Sequence, residues 1–88
     1  MTKGYPFQDV APNWPSAIFS FPAPVKVLDI FVFDYDLVIS FTADGILWVD
    51  NIIVPANSFY SMDFECISFR VRNRVPGEVA FYQIIGYV

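Results

Sequence analysis

The stretch CISFRVRN, residues 66–73, alternates apolar and polar side chains more regularly than any other part of the chain. Successive side chains of a β-strand point to opposite faces, so Ile67, Phe69 and Val71 would lie on one face and the intervening polar residues on the other. The pattern predicts a strand that buries one face and leaves the other in water.

Further strand patterns lie on both sides of this segment. They cover residues 25–34, 37–42, 46–49, 52–54, 58–64 and 78–88, with turn residues such as Gly45, Pro55 and Pro76-Gly77 between them. Short strands at this spacing are typical of a β-sandwich or a small barrel. Residues 25–34 and 78–88 are apolar on both faces, which predicts strands covered on both sides and, for the last strand, an edge that needs a partner.

The composition favours the same class. Val, Ile, Thr and the aromatic residues make up 39 of the 88 residues, whereas Leu and Ala together number nine. We therefore predict an all-β fold, a small antiparallel β-sandwich or jelly-roll-like barrel. Apolar residues form 56% of the sequence, more than so short a chain can bury, which predicts association with copies of itself or with another partner.

The first 24 residues differ from the rest because they hold five of the seven prolines. We predict an extended Pro-rich arm over residues 1–24 and a β-sandwich domain over residues 25–88. Aromatic side chains on such an arm are candidates to fill pockets on a neighbouring subunit. These candidate partner-binding residues are Phe7, Trp14, Phe19 and Phe21.

A second candidate partner-binding feature is the arginine series Arg70, Arg72 and Arg74. At every second residue of an extended strand, the three form a stripe on one face. Two interpretations stay open: a solvated face neutralised by cross-strand acids such as Asp34, Asp36 or Asp63, or a stripe that docks an acidic neighbour. The net charge of −4 argues against general nucleic-acid binding.

The sequence offers little material for catalysis. It has no His and a single cysteine, Cys66, which excludes a Ser-His-Asp set, a Cys-His pair, an ordinary zinc site and an internal disulfide within one chain. The pair Asp34-x-Asp36 is too common a pattern to predict a metal site. We expect no enzyme activity, no cofactor, no metal and no membrane-spanning segment.

The C-terminal half resembles the small β-sandwich virion proteins of tailed bacteriophages. The resemblance rests on GILWVDNIIVPANSF at residues 45–59, ISFRVRN at 67–73 and the terminal AFYQIIGYV at 80–88. It implies a non-enzymatic structural protein of a phage particle, such as a capsid decoration, collar or tail accessory protein. Such a protein would be made in the host cytoplasm, reside in the virion, and contact copies of itself and other virion proteins.

The alternative function is a small carbohydrate-binding β-sandwich module, which would use exposed aromatic residues such as Trp48 as platforms for sugar rings.

Overall fold

The computed structural model describes residues 4–88, and within them every regular element is a β-strand. The predicted all-β class is therefore confirmed. The six strands are β1 (Gly4–Val10), β2 (Phe19–Phe33), β3 (Leu37–Thr42), β4 (Trp48–Val54), β5 (Ser58–Asn73) and β6 (Phe81–Tyr87). No helix able to cross a membrane occurs in residues 4–88.

All strand pairs are antiparallel, and the order across the sheet is β1-β6-β2-β5-β3-β4. The long strands β2 and β5 pair with each other, and each also pairs with one further strand. Residues 27–33 of β2 pair with β6, whereas residues 68–73 of β5 pair with β3. Register shifts in the β2–β5 pair around Val25 separate the two halves, and bulges of this kind bend a sheet. The single sheet therefore folds over on itself in the manner of a small β-sandwich.

The core lies between the two halves of the bent sheet. Leu28, Ile30 and Ile84 from one half and Ile39 and Val71 from the other are all buried in one cluster. Along β6 the buried residues alternate strictly with partly exposed ones, as the pleat requires. The predicted inward set of residues 66–73 is confirmed for Phe69 and Val71, whereas Ile67 is only partly buried.

Two of the observed strands each cover two of the strands that the sequence predicts. Residues 46–49 and 52–54 were expected to form two strands that reverse at Asp50-Asn51, but Trp48–Val54 is one strand. Asn51 takes a positive φ of 57° where the β3–β4 register shifts, so the residue forms a bulge rather than a reversal. Residues 58–64 and 66–73 likewise belong to the single strand β5.

The expected arm is corrected in the same way. The boundary between residues 24 and 25 falls inside β2, and residues 4–10 form the strand β1, which pairs with β6. The reason is aromatic packing, because Phe7, Phe19 and Phe21 all pack into the protein's own core around Phe69. Residues 1–3 of the expected arm lie outside the described residues.

The last strand also differs from the expectation. Residues 78–88 were expected to leave an open edge, but β6 lies between β1 and β2. Strand β1 takes the edge position, where its Pro6 is tolerated because an edge strand does not need every N–H for the ladder.

Candidate interaction surface

Apolar side chains cover much of the outward side of one half of the sheet, which we call the outer face. It is formed by β1, β6, residues 27–33 of β2 and residues 58–63 of β5, on the side away from the core. Its apolar side chains include Val10, Val27, Phe31, Phe33, Phe59, Phe81 and Ile85.

The aromatic residues of the outer face are arranged in cross-strand pairs. Phe31 faces Phe59 with 4.6 Å between ring centroids, and Phe33 faces Phe81 at 6.1 Å. Phe59 is 54% exposed and Phe33 is 42% exposed. Antiparallel sheets that meet water on one side usually carry polar residues there, so this apolar face is suited to burial against a partner.

The outer face also carries polar groups, including the carboxylates of Asp29 and Asp63. The Ser61 hydroxyl donates a hydrogen bond of 2.6 Å to Oδ1 of Asp29 across the β2–β5 pair. Gln8 and Gln83 lie directly opposite each other on β1 and β6. Because burial of an unpaired carboxylate is costly, a partner that covers this face must supply donors to Asp29 and Asp63 or leave both carboxylates at its hydrated edge.

The sequence signalled this surface without identifying its residues. Strands apolar on both faces predicted covers on both sides, and the structure supplies a cover on the core side only, within residues 4–88. Phe31, Phe33, Phe59 and Phe81 were not among the predicted partner-binding residues. The signal was present in residues 25–34 and 78–88, but it could not be assigned to one face without the register.

Of the predicted aromatic anchors, Trp14 alone is largely exposed, at 80%. Its neighbour Asn13 is held in place, because Asn13 Oδ1 accepts hydrogen bonds from Nδ2 of Asn73 at 3.0 Å and from the N–H of Gly77 at 3.1 Å. Trp14 is therefore presented from an anchored backbone, which suits a docking residue. Partner binding by Trp14 stays a prediction.

The three arginines do not act as one stripe. Arg70 reaches Asp50 at 3.3 Å, and its guanidinium lies 4.9 Å from the ring centroid of Trp48. Arg74 pairs with Asp36 at 2.8 Å. The interpretation of a solvated face neutralised by acids is therefore supported for Arg74, whose partner Asp36 is one of the expected acids. For Arg70 the partner is Asp50, which was expected only to serve a turn.

The middle arginine differs from its neighbours. Arg72 donates to the carbonyl of Asn73 at 3.1 Å and takes part in no ion pair within residues 4–88. It is the member of the series whose charge is available to an acidic partner, and docking through it stays a prediction.

The carboxylate of Asp36 accepts hydrogen bonds from the N–H of Ala56 and from the guanidinium of Arg74. The hydrogen bond from Arg74, followed by the N–H of Ala56, lowers the pKa of Asp36. Asp36 and Asp34 line an open cleft of about 350 Å³ at one end of the molecule, together with Arg74 and Glu78. No group of acidic, His or Cys side chains within residues 4–88 is arranged to hold a metal ion.

Cys66 lies fully buried in the core, and desolvation raises the pKa of its thiol. Burial and a raised pKa both disfavour the thiolate that reacts in disulfide exchange.

Comparison with known proteins adds one finding about the fold. No protein-family model and no curated protein matches the sequence. The structure is similar to a chain from Bacillus endospore appendages, described as a novel family of disulfide-linked pili. The TM-score is 0.61 with 14% sequence identity, and the match covers 100% of this chain and 87% of that chain. At this identity the likeness establishes a shared β-fold.

Proposed function

We propose that the protein is a non-enzymatic structural subunit that assembles in many copies through its outer face. The observation that carries the proposal is the uncovered apolar side of the sheet, with Phe33 and Phe59 both exposed beside their aromatic partners. Burial of apolar area is the dominant favourable contribution to most protein–protein association, so a face of this kind favours association.

Two further observations support an assembling subunit. The apolar fraction of 56% is high for 88 residues, and the fold is similar to that of a chain from a pilus. Because Cys66 is buried, the assembly proposed for this chain is held by non-covalent contacts rather than by a disulfide through this residue.

The assembly that we propose is a phage particle, on the strength of the sequence resemblance to tailed-phage virion proteins. Detection of the chain in purified virions by mass spectrometry would support this assignment. A chain found only on cell-surface appendages would contradict it, and the subunit role would stand.

The carbohydrate-binding alternative keeps Trp48 as its candidate platform. Arg70 approaches one face of the ring, so a sugar would have to stack on the other face.

The subunit role is tested by placing charges on the outer face. In the double variant Phe33→Lys/Phe59→Lys, two ammonium groups would have to be desolvated in the interface, so assembly should be lost. We expect the wild-type chain to form large particles by light scattering and negative-stain electron microscopy at micromolar concentration. The variant should scatter as a 10.1 kDa monomer with an unchanged circular dichroism spectrum.

The matched control is Ile46→Lys/Leu47→Lys, which adds the same two charges at exposed positions in the loop between β3 and β4, in the other half of the sheet. The control should assemble like the wild type. A monomeric wild-type chain, or equal assembly by both double variants, would contradict the proposed role of the outer face.

A further inference from the structure

Strand β1 is joined to the rest of the molecule through one side only. It pairs with β6 over residues 4–10, and no other strand of the described chain pairs with it. The chain from Pro12 onward is fixed independently of β1, since the N–H of Asn73 donates to the carbonyl of Pro12 at 2.7 Å and Ser16 exchanges hydrogen bonds with Val71 at 2.9 and 3.0 Å. Residues 12–88 therefore keep their own anchoring when β1 is elsewhere, and the hinge lies at Val10–Ala11.

The groove that β1 fills is apolar and aromatic. The Phe7 ring lies 5.1 Å from the ring of Phe69, 5.4 Å from Phe21 and 5.8 Å from Phe19, measured between centroids. Tyr5 packs against the same core two residues earlier. An occupant of this groove must be an extended segment with large apolar side chains at alternate positions and a backbone that pairs with β6.

The β1 strand of a second copy meets this requirement by construction, because it carries the same Tyr5 and Phe7 in the same register. Exchange between copies reproduces every contact that β1 makes within one chain, so its cost is limited to association entropy and a change at the hinge. Contact between outer faces, as proposed above, would offset that cost.

We infer that in the assembled state each copy donates β1 to the groove of the next copy. The inference rests on the proposed subunit role and specifies one contact between subunits, the pairing of β1 from one copy with β6 of the next. A donation that passes from copy to copy without closing generates a linear or helical polymer. Pro6 lies within β1 and Pro12 lies two residues after its end. Both prolines limit the conformations of a released strand and so lower the entropy lost when it docks.

This exchange also accounts for the expectation that the N-terminal segment binds a neighbour. In one isolated chain the aromatic side chain of Phe7 has its own core as the available site. In an assembly the equivalent site of the next copy is offered at the same contact energy.

The test uses two variants that each add one cysteine, Gln8→Cys and Gln83→Cys, because these residues are direct partners across β1 and β6. Antiparallel partners have Cα atoms about 4.5–5.5 Å apart, within the range that a disulfide spans. Equal amounts are unfolded together in urea under reducing conditions, refolded, concentrated and oxidised. Each variant carries only one of the two new thiols, so neither can close this bridge within its own chain. Exchange should therefore give disulfide-linked dimers on a non-reducing gel, and mass spectrometry of the linked peptides should identify them as heterodimers bridged between positions 8 and 83.

The matched control mixes Asp29→Cys with Ser61→Cys, which are direct partners on β2 and β5 of the same outer face. These strands lie in the body and do not exchange, so this mixture should give no heterodimer. Particles by light scattering without heterodimers in the first mixture would overturn the exchange and leave the subunit role standing. Equal heterodimer yields in the two mixtures would also overturn it, since they would report contact across the face. A monomeric chain would overturn both proposals.

Discussion

Gly86 shows how a single side chain would disturb the packing under β1. A Cβ atom built at this position would lie 2.6 Å from a ring carbon of Phe21 and 2.9 Å from a methyl group of Val25. Both neighbours are buried, so neither ring nor methyl has free space into which it can move. The glycine is required here by the close approach of an aromatic ring.

We therefore predict that Gly86→Ala lowers the free energy of unfolding by about 1–3 kcal/mol, the usual cost of overpacking a core. Urea unfolding followed by circular dichroism measures this change. Gly77→Ala is the comparison variant, because its Cβ meets no atom within 4 Å and the cost there comes from a positive φ of 88°. An unchanged midpoint for Gly86→Ala would show that Phe21 does not pack on β6 as described.

Asp44 fixes the loop between β3 and β4 through one carboxylate oxygen. Its Oδ1 accepts hydrogen bonds from the N–H of Ile46 at 2.8 Å, from the N–H of Leu47 at 2.9 Å and from the hydroxyl of Thr42 at 3.2 Å. These donors, the N–H of Ile46 first, lower the pKa of Asp44 below its ordinary value of 3.8. The loop therefore holds Ile46 and Leu47 in an exposed position by means of a charged cap.

A lowered pKa in the folded state stabilises the protein above the unfolded-state value, and this contribution is lost as the pH falls through the folded-state pKa. We predict that Asp44→Asn lowers the thermal midpoint at pH 7 and that the difference from the wild type shrinks below about pH 4. Thermal unfolding between pH 2 and 7 measures this. A difference that stays constant with pH would contradict a role for the charge.

At the scale of the strands, local periodicity was informative wherever a strand has its neighbours on both sides. The alternation in residues 66–73 and the apolar run of residues 25–34 both correspond to observed strand, because burial of one or both faces imposes the pattern. The boundaries failed at Asn51, where a bulge uses the same residue type as a turn.

Strand β1 could not be predicted from the same signals. Its Gly4 and Pro6 are typical of loops, and its partner β6 lies more than 70 residues away in sequence. The attraction between Phe7 and Phe69 is non-local, and no periodicity within residues 1–24 reports it. The candidate interaction surface was predictable only in part. The sequence identified Trp14 as an aromatic residue outside the core, whereas the residues of the outer face could be identified only from the register between strands.

The whole molecule depends on its N-terminal quarter, which the sequence pattern had assigned to a separate arm. Residues 4–10 form the edge strand of the sheet. Residues 11–18, which connect β1 to β2, are held against β5 where Ser16 exchanges hydrogen bonds with Val71 at 2.9 and 3.0 Å. Phe21 is buried against Phe69 with 5.6 Å between ring centroids. Removal of this segment would take one strand, the linker contacts and part of the aromatic core together.

We predict that a chain beginning at Ala23 does not fold. Deletion of Phe7, Phe19 and Phe21 removes three aromatic side chains from the cluster around Phe69, and truncation of a single core aromatic residue already costs about 3–5 kcal/mol. Three such losses, about 9–15 kcal/mol together, are comparable to the whole free energy of unfolding of a domain, about 5–15 kcal/mol. The truncated chain should lack a cooperative thermal transition and show a disordered far-ultraviolet circular dichroism spectrum. Trp14→Ala is the control, because it removes an exposed aromatic side chain from the same segment, and it should melt like the unaltered chain. A cooperative β-sheet melt of the chain beginning at Ala23 would instead restore the separate arm over residues 1–24, and would show that Val25 onward is a domain in its own right.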